Sequence, residues 1–265
     1  RGQWQAVTIA RDITERKLSE EARIRHAAAL ARAEELQRSR QRIVTVQESL
    51  RRDIAQQLHG TVQNRLIIIL HKLADLEKKA SATEIAEELN DARQKLAELM
   101  EGQVRPISHR LYPSILRRGL TASLQSLGDQ FETALEIETD LDEEIQNEER
   151  VEPKLIPEQV RLSAYRIAEE TLTNAVKYAR GSRVGITMKK LPEGWFQLSI
   201  KDSGPGFDAA GTDSGLGMLM MQDYAEMAGG NCTILSMRGE GTKVTATLPL
   251  GEPDGEPPEK TTPWE

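Results

Sequence analysis

A single cysteine, Cys232, stands among 265 residues. That excludes an intrachain disulfide and a cysteine-rich metal site, and it points to a reducing compartment. Aromatic residues make up only 4% and hydrophobic residues 38%, too little for one large core, so the chain reads as a compact domain joined to an elongated part. The longest aliphatic run, Leu66–Leu70, falls far short of the roughly 20 residues of a membrane span, and none is expected in this segment. Basic residues (35) are outnumbered by acidic ones (42), for a net charge of −7. Nucleic acid is thereby disfavoured as a partner, because binding a phosphate backbone draws on an excess of lysine and arginine. The sequence opens at Arg1 with no apolar signal segment, so it is expected to be a cytoplasmic piece of a longer chain.

Between Glu15 and Leu58 there is neither proline nor glycine, which lets one helix run uninterrupted. Along it Ala22, Ala29, Leu36, Ile43 and Leu50 fall seven apart, the spacing of a parallel coiled coil whose alanine half is weak. Before it, Trp4–Ala10 alternates like a terminal strand, and Asp12 or Thr14 can cap the helix that follows. Beyond it Val62, Leu66, Ile69, Leu73 and Leu76 continue an apolar seam. Ser81-Ala82-Thr83-Glu84 then offers a capping box, and Ile85, Leu89, Ala92, Leu96 and Leu99 mark a second helix. Two such helices cannot bury both stripes alone, so pairing with a second copy into a four-helix bundle is expected.

Chemistry gathers further on. Leu162, Tyr165, Ile167, Ala168, Leu172, Ala175 and Val176 recur at helical spacing, while Glu170, Asn174 and Lys177 collect on another flank. Residues three or four apart on a helix are neighbours, so a carboxylate, an amide and an ammonium can converge on a metal-bound polyphosphate. An ordinary solvated face would look the same in isolation. Here, however, the helix is followed by a strand ending in Lys201-Asp202-Ser203-Gly204-Pro205-Gly206-Phe207 and then by Gly215-Leu216-Gly217-Met218. Two glycine boxes in this order behind an E-x-x-x-N-x-x-K-Y helix are far more specific than one alone.

From about Glu158 to Leu250 the sequence resembles the ATP-binding domain of sensor histidine kinases, within the superfamily that includes DNA gyrase, Hsp90 and MutL. The resemblance implies that Asn174 holds Mg²⁺ beside the acidic Glu170, and that Lys177 and Tyr178 face the nucleotide. It implies that Asp202 accepts the adenine amino group, that Gly204, Gly206, Gly215 and Gly217 hinge a lid containing Leu216, and that Gly241-Thr242 adds a nucleotide contact. The short segment between the glycine boxes is that of the nitrate-sensor-like group.

The stretches R-R-x-I-A-x-x-L-H, ending at His59, and Val104–Leu120 resemble the dimerisation and phosphoacceptor domain of the same group. His59 is then the residue that carries the phosphate, although heptad extrapolation from Leu66 and Leu73 also allows a half-buried structural histidine. His26, His71 and His109 are expected at the surface or in packing. Two positions depart from the family pattern. Gly60 replaces the usual acidic neighbour that takes the imidazole proton, and Asn64 stands where a glutamine assists dephosphorylation; general bases contribute on the order of a hundredfold.

The expected fold is α+β: a long coiled-coil helix leading into a dimeric four-helix bundle, then an α/β two-layer sandwich. Residues 1–14 resemble the exit of a PAS-type sensor domain, 15–50 form the signalling helix, 51–131 the dimerisation and phosphotransfer part, 132–250 the ATP-binding domain, and 251–265, with four prolines, a disordered tail. Within 132–250, Ala134–Leu141 should be a first strand and the acidic Asp142–Glu152 a loop. The resemblance implies a homodimer that uses ATP and Mg²⁺ and passes phosphate to the receiver domain of a response regulator. The alternative is an ATP-binding scaffold, or mainly a phosphatase, with weak autokinase activity. A gyrase- or chaperone-like ATPase is disfavoured by the histidine-bearing helical pair and the short lid.

Overall fold

The computed structural model describes residues 2–80, 84–208 and 215–251. Ser81, Ala82 and Thr83 of the expected capping box, and residues 252–265 of the expected tail, lie outside them. The chain divides into two units, Arg1–Val46 and Gln47–Glu265. Among the described residues no helix is long and apolar enough to cross a membrane.

Helix α1 (Gly2–Gln57) takes in all but the last residue of the Glu15–Leu58 stretch that is free of proline and glycine. It also takes in Trp4–Ala10, so the expected terminal strand is corrected to helix. The physical reason is hydrogen bonding: no strand among the described residues pairs with this segment, and a helix satisfies its own backbone where a lone strand cannot.

In the second unit α1 passes into a π-helical turn, Leu58–Gln63, and then α2 (Asn64–Ala80). Helix α3 (Glu84–Leu99) packs beside α2 and ends in a second π-helical turn, Met100–Val104. An ion pair from Arg93 to Glu77 (3.0 Å) ties this hairpin. Helix α4 (Arg105–Leu111) continues from there, with Pro106 in its first turn, where its missing N–H costs nothing.

The remaining chain is a two-layer sandwich. Five strands, β1 (Glu136–Leu141), β2 (Arg183–Leu191), β3 (Trp195–Asp202), β4 (Asn231–Met237) and β5 (Gly241–Pro249), lie in the order β1-β2-β3-β5-β4. The β1–β2 pair is parallel and the others antiparallel. Helices α5 (Leu120–Phe131), α7 (Glu158–Tyr178) and α8 (Leu216–Met227) pack against the sheet. Alternation along β2 and β3 sends Val184, Ile186, Met188, Phe196, Leu198 and Ile200 into the core. Cys232 is buried there too, and burial pushes its thiol up to about 12, so it stays protonated and unreactive at neutral pH.

The acidic Asp142–Glu152 segment is a helix, α6 (Glu143–Val151), rather than a loop. The Asp142 carboxylate caps it by accepting from Glu144 N and Ile145 N, and Glu143 and Glu144 in its first turn suit the positive end of the helix dipole. Ile145 anchors it in the core. From α6 the buried Glu149 reaches across to accept from Leu120 N (2.6 Å), Thr121 N (2.8 Å) and Thr121 Oγ1 (2.7 Å), capping α5.

Candidate functional site

Helix α7 is nearly all buried from Val160 to Ala168 and opens only toward its C-terminal half, where Glu170 and Asn174 are half-buried and Lys177 and Tyr178 exposed. Asn174 Nδ2 donates to Glu170 Oε1 at 3.2 Å. That leaves Asn174 Oδ1 with no protein donor among the described residues, so an amide oxygen and a carboxylate face one spot. The Lys177 ammonium lies 4.7 Å from the centroid of the Tyr178 ring. Hydrogen bonding to the Tyr178 hydroxyl, and less strongly the charge of Glu170, raise the Lys177 pKa above its ordinary value.

The first turn of α8 closes on this spot. Gly217 stands so near that a Cβ there would overlap Glu170 Oε1, and Gly215 and Leu216, both exposed, begin the same turn. A helix N-terminus presents unpaired N–H groups, which suit an anion.

At the far end of α7, Ala179 abuts Gly204, where a Cβ would overlap the Ala179 methyl. Gly204 N donates to the buried Asp202 Oδ1 at 2.8 Å. Asp202 Oδ2 accepts from no protein group among the described residues. Asp202 ends β3 opposite Thr242 of β5, and Gly241 has φ +87, where a Cβ would overlap the Asp202 carbonyl oxygen. Gly206, at φ +57, lets the loop fold under the β4–β5 turn, with Gly239 N donating to Pro205 O at 2.7 Å. The sequence reading missed Ser236, whose hydroxyl lies 3.0 Å from Thr242 Oγ1 and accepts from Phe207 N at 2.9 Å. A serine in an alternating strand carries no local signal of that role.

Glu170, Asn174, Gly217, Gly204, Asp202 and Thr242 thus line one region around the open side of α7. His59 and Asn64 lie elsewhere, with no hydrogen bond or ion pair to those residues among the described ones. His59 is exposed in its π-helical turn in the single chain. Such turns inside α-helices recur at functional sites. Asn64 Nδ2 donates back to Gly60 O at 2.7 Å. His26, His71 and His109 are all exposed.

Residues 159–252 match the family model of the histidine kinase-, DNA gyrase B- and HSP90-like ATPase. Over 231 residues the chain is 26% identical to an uncharacterized sensor-like histidine kinase of Chloroflexus aurantiacus, covering 82% of this chain and 37% of that protein. Over 215 residues it is 28% identical to the oxygen sensor histidine kinase NreB of Staphylococcus carnosus, covering 79% of this chain and 59% of that one. The chain therefore spans about half the length of the curated relatives it matches. The histidine kinase domain of a blue-light activated kinase from Erythrobacter litoralis EL346 aligns at a TM-score of 0.44 and 15% identity, over 71% of this chain and 94% of its own.

Proposed function

We propose that this chain, a relative of sensor histidine kinases with their ATPase domain at residues 159–252, binds Mg·ATP, phosphorylates its own His59 and passes the phosphoryl group to an aspartate of a response regulator. The observation that carries this is the meeting of Glu170, Asn174 and the Gly217 turn at one open spot. Two oxygen donors and a helix N-terminus suit a hard cation and the phosphates it accompanies. Glu170 and Asn174 are the residues that would hold Mg²⁺, which when bound supplies neutralisation of polyphosphate charge. Asp202 offers its open Oδ2 to the adenine amino group, and Thr242 lies beside it. His59 Nε2 then attacks the γ-phosphorus in line: the N–P bond forms, the bond to the β–γ bridging oxygen breaks, and ADP leaves.

The chain acts as a homodimer in this reading. Val62 in the π-helical turn and Ile69 and Leu76 on α2 expose 38%, 45% and 50% of their surface in the single chain, an apolar stripe that a second copy would cover as a four-helix bundle.

The second reading, an ATP-binding scaffold or phosphatase with weak autokinase activity, is favoured by one observation: Gly60 brings no carboxylate to His59. Incubation with γ-labelled ATP decides between them. Acid-labile label on the parent that is absent from His59→Gln supports the kinase. Nucleotide binding without label supports the scaffold.

A further inference from the structure

Glu48 lies on α1, eleven residues before His59, and its side chain is buried among groups far off in sequence. Glu48 Oε1 accepts from the Tyr224 hydroxyl of α8 at 2.7 Å and from Arg51 at 2.7 Å, and Oε2 from Arg166 of α7 at 3.1 Å. Arg166 also donates to Leu111 O at 2.8 Å and pairs with Glu169 at 2.7 Å. Glu48, Arg166 and Tyr224 are exposed by only 6%, 4% and 3%, so this carboxylate meets its partners with little water between them. A second fastening lies one turn on, where Arg52 pairs with Glu158, the first residue of α7, at 3.1 Å.

The partners of Glu48 are also the back end of the nucleotide cradle. Gly217, Met221 and Tyr224 fall four and three apart on α8, hence on one face of it, and that face meets α7 in order. Gly217 touches Glu170 and Asn174. The buried Met221 sets its sulfur 3.4 Å from the Thr171 hydroxyl. Tyr224 meets Glu48 beside Arg166. At 1.5 Å per residue this seam runs about 10 Å, from the phosphate-facing turn of α8 to the helix that leads into the turn of His59.

We propose that Glu48 is a positioning residue for the nucleotide site: its hold on Tyr224 and Arg166 keeps α8 seated on α7, and so couples the state of helix α1 to the closure of the Gly215–Gly217 turn over the nucleotide. This rests on the nucleotide site proposed above. The coupling is reciprocal by linkage, so nucleotide binding must tighten the docking of α1 by the same factor as docking tightens the nucleotide. A structural brace alone would change stability and leave the affinity of the folded protein untouched.

The test uses the full chain with Mg·ADP as the probe. Affinity is measured by calorimetry for the parent, Glu48→Gln and the isosteric Tyr224→Phe, with circular dichroism to establish folding, and hydrogen exchange is followed over residues 47–52. The expected result is a Kd raised about fivefold in Glu48→Gln, toward the low end of couplings between sites, and by a smaller factor in Tyr224→Phe. Nucleotide should slow exchange over residues 47–52 in the parent and not in Glu48→Gln. Should Glu48→Gln not fold, Tyr224→Phe and the parental exchange decide alone. Equal Kd values with unchanged exchange, while the parent binds, overturn the coupling and spare the nucleotide site; a parent that binds no Mg·ADP overturns both.

Discussion

Gly217 leaves no room for a side chain between itself and Glu170: a Cβ there would overlap Glu170 Oε1 and come within 3.6 Å of Asn174 Nδ2. Gly217→Ala must therefore push α8 away from α7 or turn the Glu170 carboxylate aside. Both outcomes disturb the spot where phosphate and cation are expected, although alanine favours the helix by roughly 1 kcal/mol. The expected outcome is a variant as stable as the parent or more so, with Mg-dependent nucleotide binding weakened at least tenfold. Asn174→Ala should weaken it similarly by removing one oxygen donor. Calorimetric titration checks both, and parental affinity in either would remove that residue from the site.

Asp142 carries a local prediction about pH. Its carboxylate accepts from Lys190 N at 3.0 Å, from Ile145 N and from Glu144 N, and these bonds, the one from Lys190 foremost, hold its pKa below the usual carboxylate value. A depressed folded pKa means stability that is present above the unfolded pKa and lost as pH falls through the folded one. Asp142→Ala should cost about 1 kcal/mol at pH 7, as loss of a helix cap does. The gap between parent and variant should narrow below about pH 4. Urea unfolding at pH 7 and pH 3.5 tests this, and a gap that widens in acid would contradict the cap.

Which parts of this molecule were legible in its sequence follows from how local their causes are. Helix α7 came out within a few residues of the Leu162–Val176 spacing that marks it, because periodicity is a local signal. The candidate site was legible as far as its glycine boxes and its E-x-x-x-N helix, since those residues lie close in sequence. Helix α6 was not, because a run of seven charged or amide residues among nine shows little periodicity; its helix depends on Ile145 entering the core and on Glu149 capping α5 from 29 residues away. The Glu48 cluster was invisible for the same reason, its partners lying 118 and 176 residues off.

The apolar stripe of α2 predicts self-association. No residue of α2 is buried in the single chain, and Leu66 and Leu73 lie on the same stripe as Ile69 and Leu76. If a second copy covers it, Leu66→Glu and Leu73→Glu place unpaired charges in a dry interface, and each costs several kcal/mol. Light scattering at micromolar concentration should give a dimer for the parent and a monomer for the double variant, with the five-stranded sandwich still folded by its thermal transition. A monomeric parent would sink the four-helix bundle.

Gly60 separates the kinase from the scaffold. It sits in the π-helical turn directly after His59, and a Cβ there would meet nothing within 4 Å. A side chain is therefore sterically free at this position, and glutamate would bring a carboxylate next to the exposed imidazole. That carboxylate can accept the Nδ1 proton, fix the tautomer and leave Nε2 as the nucleophile. Replacing glycine inside a helical turn should also add roughly 0.5–1 kcal/mol of local stability. Gly60→Glu is accordingly expected to label faster with γ-labelled ATP than the parent, by on the order of a hundredfold if the missing base is the whole deficit, while His59→Gln stays unlabelled with or without it. Rapid labelling of the parent with no gain in Gly60→Glu would mean that water or another group already takes the proton. Labelling in neither would leave the cradle of Glu170, Asn174 and Gly217 as a nucleotide sensor without a phosphoacceptor, and the scaffold reading would then stand.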